Sequence, residues 1–237
     1  MGTIAVNETV CKTDRSVSGS VTMFCGHPFR VGAGVLVPRQ ETELLARTAI
    51  ASLEGRVSPR IIDMCCGAGN LAVTLALARK DASVTAADLT AQACAFARDN
   101  AELLGVGDRV EVRQGDLFSA LDGLDLGDGA DLIVANPPYI STGRLANEKS
   151  YLLGTEPKEA FDGGPYGIAI HQRLVREAGA FLKAGGILAF EFGVGQRAQV
   201  ERLFSRSVGW TDVAFQNDGA GEPRVVSAHA MAKGGRL

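Results

Sequence analysis

Ile61-Ile62-Asp63-Met64-Cys65-Cys66-Gly67-Ala68-Gly69-Asn70 is the stretch on which the fold turns. An apolar run with strand character breaks into a glycine turn, and residues 71–79 continue with helical character. A strand delivered through glycines into a helix leaves unpaired backbone N–H groups beside a gap that a ligand can approach closely. About twenty residues further on, Asp88 closes the next apolar run, where a carboxylate can accept both hydroxyls of a ribose. The bland alternative is a tight strand–helix turn followed by a solvated aspartate.

Outward from this stretch the rhythm repeats. Strand-like runs at residues 60–64, 83–87, 110–113, 131–135 and 186–192 alternate with helix-like runs at 71–79, 91–104 and 168–183. Apolar strands alternating with helices predict right-handed crossovers and a parallel sheet covered on both faces, an α/β doubly wound, Rossmann-like domain. The chain end departs from the pattern. Residues 196–206 read as a helix, and 211–216 and 224–230 as two strands joined by the turn-rich Asn217-Asp218-Gly219-Ala220-Gly221. They complete a seven-stranded, mostly parallel sheet with an antiparallel C-terminal hairpin. Toward the front, residues 1–20 are polar and aperiodic. Residues 21–37 hold short β-prone pieces split by Gly26, Pro28 and Gly32, as in a hairpin. Pro38-Arg39-Gln40-Glu41-Thr42-Glu43 then leads into Leu44, Leu45, Ala49, Ile50 and Leu53 at helical spacing, its acids suited to a helix N-terminus. The expected organisation is an arm, hairpin and lid helix over residues 1–55, and a catalytic domain over 56–237.

Composition narrows the function classes. The chain has 237 residues, 46% hydrophobic and 22% charged, enough for one sizeable core without staples. Twenty-four basic against 27 acidic residues give a net charge of −3, without the basic surplus of a protein that grips duplex nucleic acid. The longest apolar stretch, Leu71 to Ala78, is far short of a membrane span, and the N-terminus lacks a secretory pattern. Cys11, Cys25, Cys65, Cys66 and Cys94 form no C-x-x-C pair, and His27, His171 and His229 are scattered, so no metal site is expected. The odd cysteine count predicts a reducing cytoplasm, where the acceptor pattern Asn7-Glu8-Thr9 is coincidental.

The glycine turn admits two ligands. Gly67-Ala68-Gly69-Asn70-Leu71-Ala72 fits the dinucleotide pattern G-x-G-x-x-G/A. Asp63, just ahead of it, is foreign to that pattern and suits a ligand amino group, as on the methionine end of S-adenosylmethionine. Asn136-Pro137-Pro138-Tyr139, directly after the run 131–135, decides between them. It stands at a strand end, where doubly wound sheets bind ligands. The Asn136 side-chain oxygen and a proline carbonyl can each accept a hydrogen bond from a planar NH₂, Tyr139 can stack on the planar group, and the prolines preset the loop.

These residues resemble the class I S-adenosylmethionine-dependent methyltransferases, and within them the HemK-type protein-(glutamine-N5) methyltransferases. Members methylate the glutamine of the Gly-Gly-Gln motif in peptide-chain release factors. Phe24-Cys25-Gly26-His27-Pro28-Phe29-Arg30-Val31 resembles the family's F-x-G-x-x-F-x-V, and Val35-Leu36-Val37-Pro38-Arg39-Gln40-Glu41-Thr42-Glu43 its V-L-I-P-R-P-E-T-E. Gly115-Asp116-Leu117-Phe118 is similar to the segment bordering the adenine, and Asn136-Pro137-Pro138-Tyr139-Ile140 is identical to N-P-P-Y-I. Glu156-Pro157 with Ala160, Gly163 and Gly164 resembles E-P-x-x-A-L-x-G-G, and Gly185-Gly186 with Glu191, Gly193 and Gln196 the late G-G…E-x-G-x-x-Q.

The resemblance implies roles position by position. Asp63, Cys65, Gly67 and Gly69 would surround the methionine moiety, Asp88 would bind the ribose, and Asp116 and Leu117 would flank the adenine. Arg39 and Thr42 would close over the cofactor. Asn136, Pro137 and Tyr139 would hold the substrate nitrogen, with Asn136 also bordering the cofactor. Against these stand plainer readings: Arg39 as a surface cation, Glu156 as a structural residue, Cys65 and Cys66 as packing, His27 and His171 as bystanders. Departures are also visible. Cys65 replaces a glycine, Gln40 a proline, and Pro165-Tyr166-Gly167 stands where D-G is common. Typical members also carry a helical docking domain ahead of the hairpin, and the residues before Phe24 have no helical period.

The expected reaction is methyl transfer to a planar, amide-type nitrogen of a protein such as a release factor. Three alternatives stay open: a small-molecule methyltransferase of a biosynthetic pathway, a nucleic-acid adenine or cytosine N-methyltransferase sharing N-P-P-Y, and a cofactor-binding protein without turnover.

Overall fold

Alternating strands and helices do build the layered sheet the sequence pattern requires. A computed structural model of the chain describes residues 19–147 and 157–232. Asn7, Cys11, Glu156 and the N-terminal arm up to residue 18 lie outside the described residues. Two strands, β1 (Ser20–Phe24) and β2 (His27–Val31), form an antiparallel hairpin, followed by α1 (Thr42–Ser52). Then come β3 (Arg60–Met64), α2 (Asn70–Ala78), β4 (Ser83–Asp88), α3 (Ala91–Leu103), β5 (Val110–Gln114), β6 (Ala130–Ala135), α4 (Thr142–Asn147) and α5 (Ala169–Glu177). The chain closes with β7 (Leu182–Glu191), α6 (Arg197–Ser205), β8 (Trp210–Asn217) and β9 (Pro223–Ala230).

The main sheet has seven strands in the order β5-β4-β3-β6-β7-β9-β8. Neighbours from β5 to β7 pair in parallel, and β9 is antiparallel to both β7 and β8. The last strand in sequence therefore sits inside the sheet and β8 forms its edge. The residues agree: Val225, Val226 and Ala228 of β9 are buried, whereas most of β8 faces solvent. β6 is buried along its whole length, as a central parallel strand covered on both faces must be.

One expectation is corrected. The helix predicted over 168–183 stops at Glu177, continues as a single 3-10 turn over Ala178–Ala180, and gives way to β7 at Leu182 rather than at residue 186. Leu182 pairs with Ala130, after which the register jumps to Ile187 opposite Leu132. The bulged Lys183-Ala184-Gly185-Gly186 hid the strand start from a pattern reading, and Gly185, at φ +71°, supplies the bend.

The front of the chain shares the sheet's core. Phe24 and Phe29 of the hairpin, in edge-to-face contact, and Leu45, Ala46, Ala49 and Leu53 of the α1 segment pack in one cluster with Ile61, Leu71 and Val134. The buried Asn100 of α3 fastens the hairpin: its Oδ1 accepts from the Arg30 N–H at 2.7 Å, and its Nδ2 donates to the Arg30 and Ala68 carbonyls at 2.9 and 2.8 Å. Among the described residues no helix is long and apolar enough to cross a membrane.

Candidate active site

A cavity of about 510 Å³ opens at the carboxyl ends of the parallel strands, the position where doubly wound sheets bind ligands. Cys65 and Gly67 after β3, Asp88 and Thr90 after β4, Asp116 and Leu117 after β5, and Asn136 and Pro138 after β6 line it. Arg39 and Thr42 enclose it from the front, and Thr142, Glu159, Asp162 and Gly163 from the far side.

The glycine turn keeps an unusual backbone. Gly67 has φ +54° and Cys65 has φ +58°, the left-handed region that side chains rarely adopt. Cys65 therefore holds the backbone shape of the glycine it replaces, and Leu117, at φ +49°, does the same across the cavity. Side-chain residues persist there only where the surroundings over-determine them. Gly69 is φ +78°, and a Cβ on it would lie 3.0 Å from the Ala97 backbone, so α2 can begin this close to α3 only with glycine.

Two acids at neighbouring strand ends behave differently. Asp88, half-buried on the cavity wall, ties the turn together: Oδ2 accepts from the Gly67 N–H at 2.9 Å and Oδ1 from the Thr90 N–H at 3.1 Å. Asp63 is completely buried behind the wall. Its Oδ2 accepts from the Ala72 N–H in the first turn of α2 at 2.9 Å, while Oδ1 has no partner. Burial pushes its pKa up to about 8, the Ala72 bond pulls against that, and the Asp88 charge adds to it. Burial likewise raises the Cys65 and Cys66 thiols, with the nearby aspartates adding to it, so both are protonated packing groups rather than nucleophiles. Asp116 is exposed at the rim, where Arg173 Nη1 reaches both of its oxygens at 2.8 and 3.0 Å.

The Asn-Pro-Pro-Tyr loop divides its residues between two sides. Asn136 faces the cavity, and its Nδ2 donates to Thr42 Oγ1 at 2.9 Å. Pro137 is buried beneath the loop and Pro138 reaches the wall instead. Tyr139 corrects the stacking expectation. It is absent from the wall, and its hydroxyl donates to Glu191 Oε1 at 3.2 Å. Its backbone is pinned away from the cavity because Gln196 Nε2 donates to the Tyr139 carbonyl at 2.9 Å, and Gln196 Oε1 receives the Gly193 N–H at 2.7 Å. Gly163 and Gly167 let neighbouring loops close on it: a Cβ at either would fall within 3 Å of the Pro138 or Tyr139 carbonyl. Asp63, Gly69, Pro137 and Tyr139 thus support the wall from behind, while Arg39, Thr42, Cys65, Gly67, Asp88, Asp116, Leu117 and Asn136 form it.

Sequence alone placed Glu191 only within a family motif, without a role, and missed Arg224, its partner in the group that holds this loop. Glu191 and Arg224 are both buried and paired at 3.2 Å, and Arg224 also donates to the Tyr139 hydroxyl at 3.3 Å. The available signal was a charge in each of two apolar strands, Glu191 ending β7 and Arg224 opening β9. Burial pushes the Glu191 pKa up, and the Thr42 hydroxyl and the Arg224 guanidinium oppose that push. His171, with its Nε2 3.0 Å from the Glu191 carbonyl, is held neutral by burial at a pKa of about 4.

This sheet order, the strained glycine turn under an acid-lined cavity, and a rigid Asn-Pro-Pro-Tyr strand end together define a class I methyltransferase. Residues 31–150 match the family described as Methyltransferase small domain. The chain is 39% identical over 206 residues to a release factor glutamine methyltransferase of Bordetella pertussis, covering 85% of this chain and 72% of that protein. It is 37% identical over 204 residues to a 4-amino-L-phenylalanine/4-methylamino-L-phenylalanine methyltransferase of Streptomyces pristinaespiralis, covering 83% of this chain and 68% of that one. The crystal structure of a release factor-specific protein-(glutamine-N5) methyltransferase from Alicyclobacillus acidocaldarius superposes with a TM-score of 0.51 at 27% identity, over 82% of this chain and 94% of that one. The chain belongs to the HemK-type protein-(glutamine-N5) methyltransferase family of S-adenosylmethionine-dependent enzymes. The site fits that cofactor: the unpartnered, buried Oδ1 of Asp63 lies one residue pair behind the strained turn, and Asp88 presents a carboxylate on the wall. When bound, S-adenosylmethionine supplies an electrophilic methyl group on a sulfonium.

Proposed function

We propose that the chain methylates the side-chain amide nitrogen of a glutamine presented by a peptide-chain release factor, with the reaction located in the cytoplasm, where release factors act. The observation that carries this reading is Asn136. It lines the cavity, its Nδ2 is occupied by Thr42, and its Oδ1 receives no donor from the described residues. An amide nitrogen is a weak nucleophile because its lone pair is shared with the carbonyl. Asn136 Oδ1 and a backbone carbonyl of the proline pair would take its two hydrogens, hold the nitrogen in line with the methyl group, and draw electron density onto it. In this reading the proton released after transfer passes to water.

In this reading Asp88 binds the ribose, Asp116 and Leu117 flank the adenine, and Cys65 and Gly67 border the methionine chain with Asp63 and Gly69 shaping the turn. Arg39 and Thr42 cover the cofactor, and within the segment 1–55 the hairpin and α1 form a lid over the catalytic unit of 56–237. The relative that acts on 4-amino-L-phenylalanine favours a second reading, an aromatic amine of small size as acceptor. The test is methyl transfer from isotopically labelled S-adenosylmethionine to a purified release factor, with 4-amino-L-phenylalanine as a parallel acceptor and the product mapped by mass spectrometry. Label on the glutamine of the Gly-Gly-Gln motif is the expected result. Label only on the amino acid would replace the first reading with the second.

A further inference from the structure

A side-chain amide has a donor end and an acceptor end of nearly equal shape, and only its neighbours decide which one meets the substrate. The neighbours of Asn136 have a single sense. Glu191, 1% exposed, is acceptor-only when ionised. Its Oε1 already receives the Tyr139 hydroxyl and Arg224 Nη2, both at 3.2 Å, and its Oε2 is buried with no hydrogen-bond partner among the described residues. Thr42, also 1% exposed, is near enough for its hydroxyl to oppose the upward push of burial on the Glu191 pKa, and the unpartnered Oε2 is the acceptor open to its proton. A hydroxyl has one proton. With that proton directed at Glu191, the Thr42 oxygen can only accept, and its partner is Asn136 Nδ2 at 2.9 Å. Donation from Nδ2 leaves Oδ1 as the end that faces the cavity. The reverse setting would turn an NH₂ toward the NH₂ of the substrate, donor against donor.

We infer that Thr42 and Glu191 are positioning residues that act through Asn136: the carboxylate sets the direction of the Thr42 hydroxyl, and the hydroxyl holds the Asn136 oxygen toward the substrate N–H. Arg224, paired with the carboxylate at 3.2 Å, opposes the burial that favours its neutral form, and so supports the chain of donors pointing one way. The inference rests on the reading of Asn136 as the acceptor for the substrate nitrogen, and is independent of which molecule carries that nitrogen.

The test uses the full chain and two measurements. The first follows the Asn136 side-chain NH₂ resonances in ¹⁵N-labelled, ligand-free protein, assigned by their loss in Asn136→Ala. In Thr42→Val, which keeps the shape and removes the hydroxyl, the bonded hydrogen is expected to move upfield and to exchange with water about ten-fold faster or more. Thr42→Ser restores the wild-type signals. Glu191→Gln, whose amide can present either end to Thr42, splits or broadens them. The second measurement is turnover with the release factor and affinity for S-adenosylhomocysteine. Thr42→Val is expected to lower kcat about 10- to 100-fold, well beyond any loss of S-adenosylhomocysteine affinity from the place of Thr42 on the cavity wall, and Thr42→Ser to recover most of the loss. Unchanged Asn136 signals in both Thr42→Val and Glu191→Gln overturn the inference, as does a Thr42→Val loss that falls equally on S-adenosylhomocysteine affinity. If Thr42→Val fails to fold, Glu191→Gln and Thr42→Ser decide alone, and wild-type signals and kcat in Glu191→Gln refute it. If wild-type protein leaves the release factor unlabelled, the acceptor reading falls, and the resonance measurement still decides this one.

Discussion

Asp63 and Asp88 end neighbouring strands, yet one is buried with an unpaired oxygen and the other stands at the cavity with both oxygens engaged. That contrast gives each a separate test. The folded-state pKa of Asp63, about 8, lies above the ordinary 3.8 of the unfolded chain, so between these values the folded state binds the extra proton. Its contribution to stability is therefore full below about pH 4 and is lost as pH rises toward 8, at no more than about 1.4 kcal/mol per pH unit. Urea unfolding across that range should show the decline in ligand-free wild type and a flatter profile in Asp63→Asn; equal slopes would clear Asp63 of the effect. Asp88→Ala should weaken S-adenosylmethionine binding by about 1–3 kcal/mol in calorimetry, the cost of stranding hydrogen-bonded ligand groups. Wild-type affinity would remove Asp88 from the ribose site. Asn136→Ala should abolish transfer and leave cofactor affinity within about three-fold, because its oxygen serves the acceptor rather than the donor. Preserved turnover would take Asn136 out of the mechanism. At this scale the sequence marked the wall residues well, since glycines, acids and prolines at strand ends have local meanings. It misjudged Tyr139, whose direction depends on Gln196 and Glu191, residues far along the chain.

At the scale of elements, the hairpin of β1 and β2 is tied to α3 by a buried amide. Asn100 lies on α3, and its two ends satisfy the N–H and carbonyl of Arg30 together with the Ala68 carbonyl. Asn100→Ala strands several buried backbone groups at once, so a loss of about 2–4 kcal/mol is expected in chemical denaturation, with earlier proteolysis in the hairpin than in the sheet. A change below about 0.5 kcal/mol would show that water replaces the amide without penalty. Nothing in the local pattern announces this contact, because Asn100 reads as one more polar position on an amphipathic helix. The β7 start was hidden for a similar reason: the bulge at Lys183-Ala184-Gly185-Gly186 is defined by its pairing with β6, and pairing is not a property of one segment.

For the molecule as a whole, the apolar core runs through both sides of the division proposed at residue 55. Phe24, Phe29, Leu45, Ala49 and Leu53 share one cluster with Ile61, Leu71 and Val134. A chain beginning at residue 56 would expose that face of the sheet, so it is expected to lose cooperative unfolding and to bind apolar dyes, whereas the 237-residue chain is expected to melt in one step. A truncated chain that melts cooperatively and binds S-adenosylmethionine would show two independent cores. What the sequence by itself determined was the layered α/β fold, the antiparallel end of the sheet, the ligand crevice and the chemistry class. Period, turn residues and strand-end motifs are local, and local signals survive in a string of letters. What only the tertiary structure decided was which way side chains point and what they join. The set of Thr42, Asn136, Tyr139, Glu191 and Arg224 gathers groups from α1, the loop after β6, the end of β7 and the start of β9. Its members meet because a buried charge or hydroxyl must find a partner in the core, and the packing of the sheet, not the order of the residues, selects which partner is within reach.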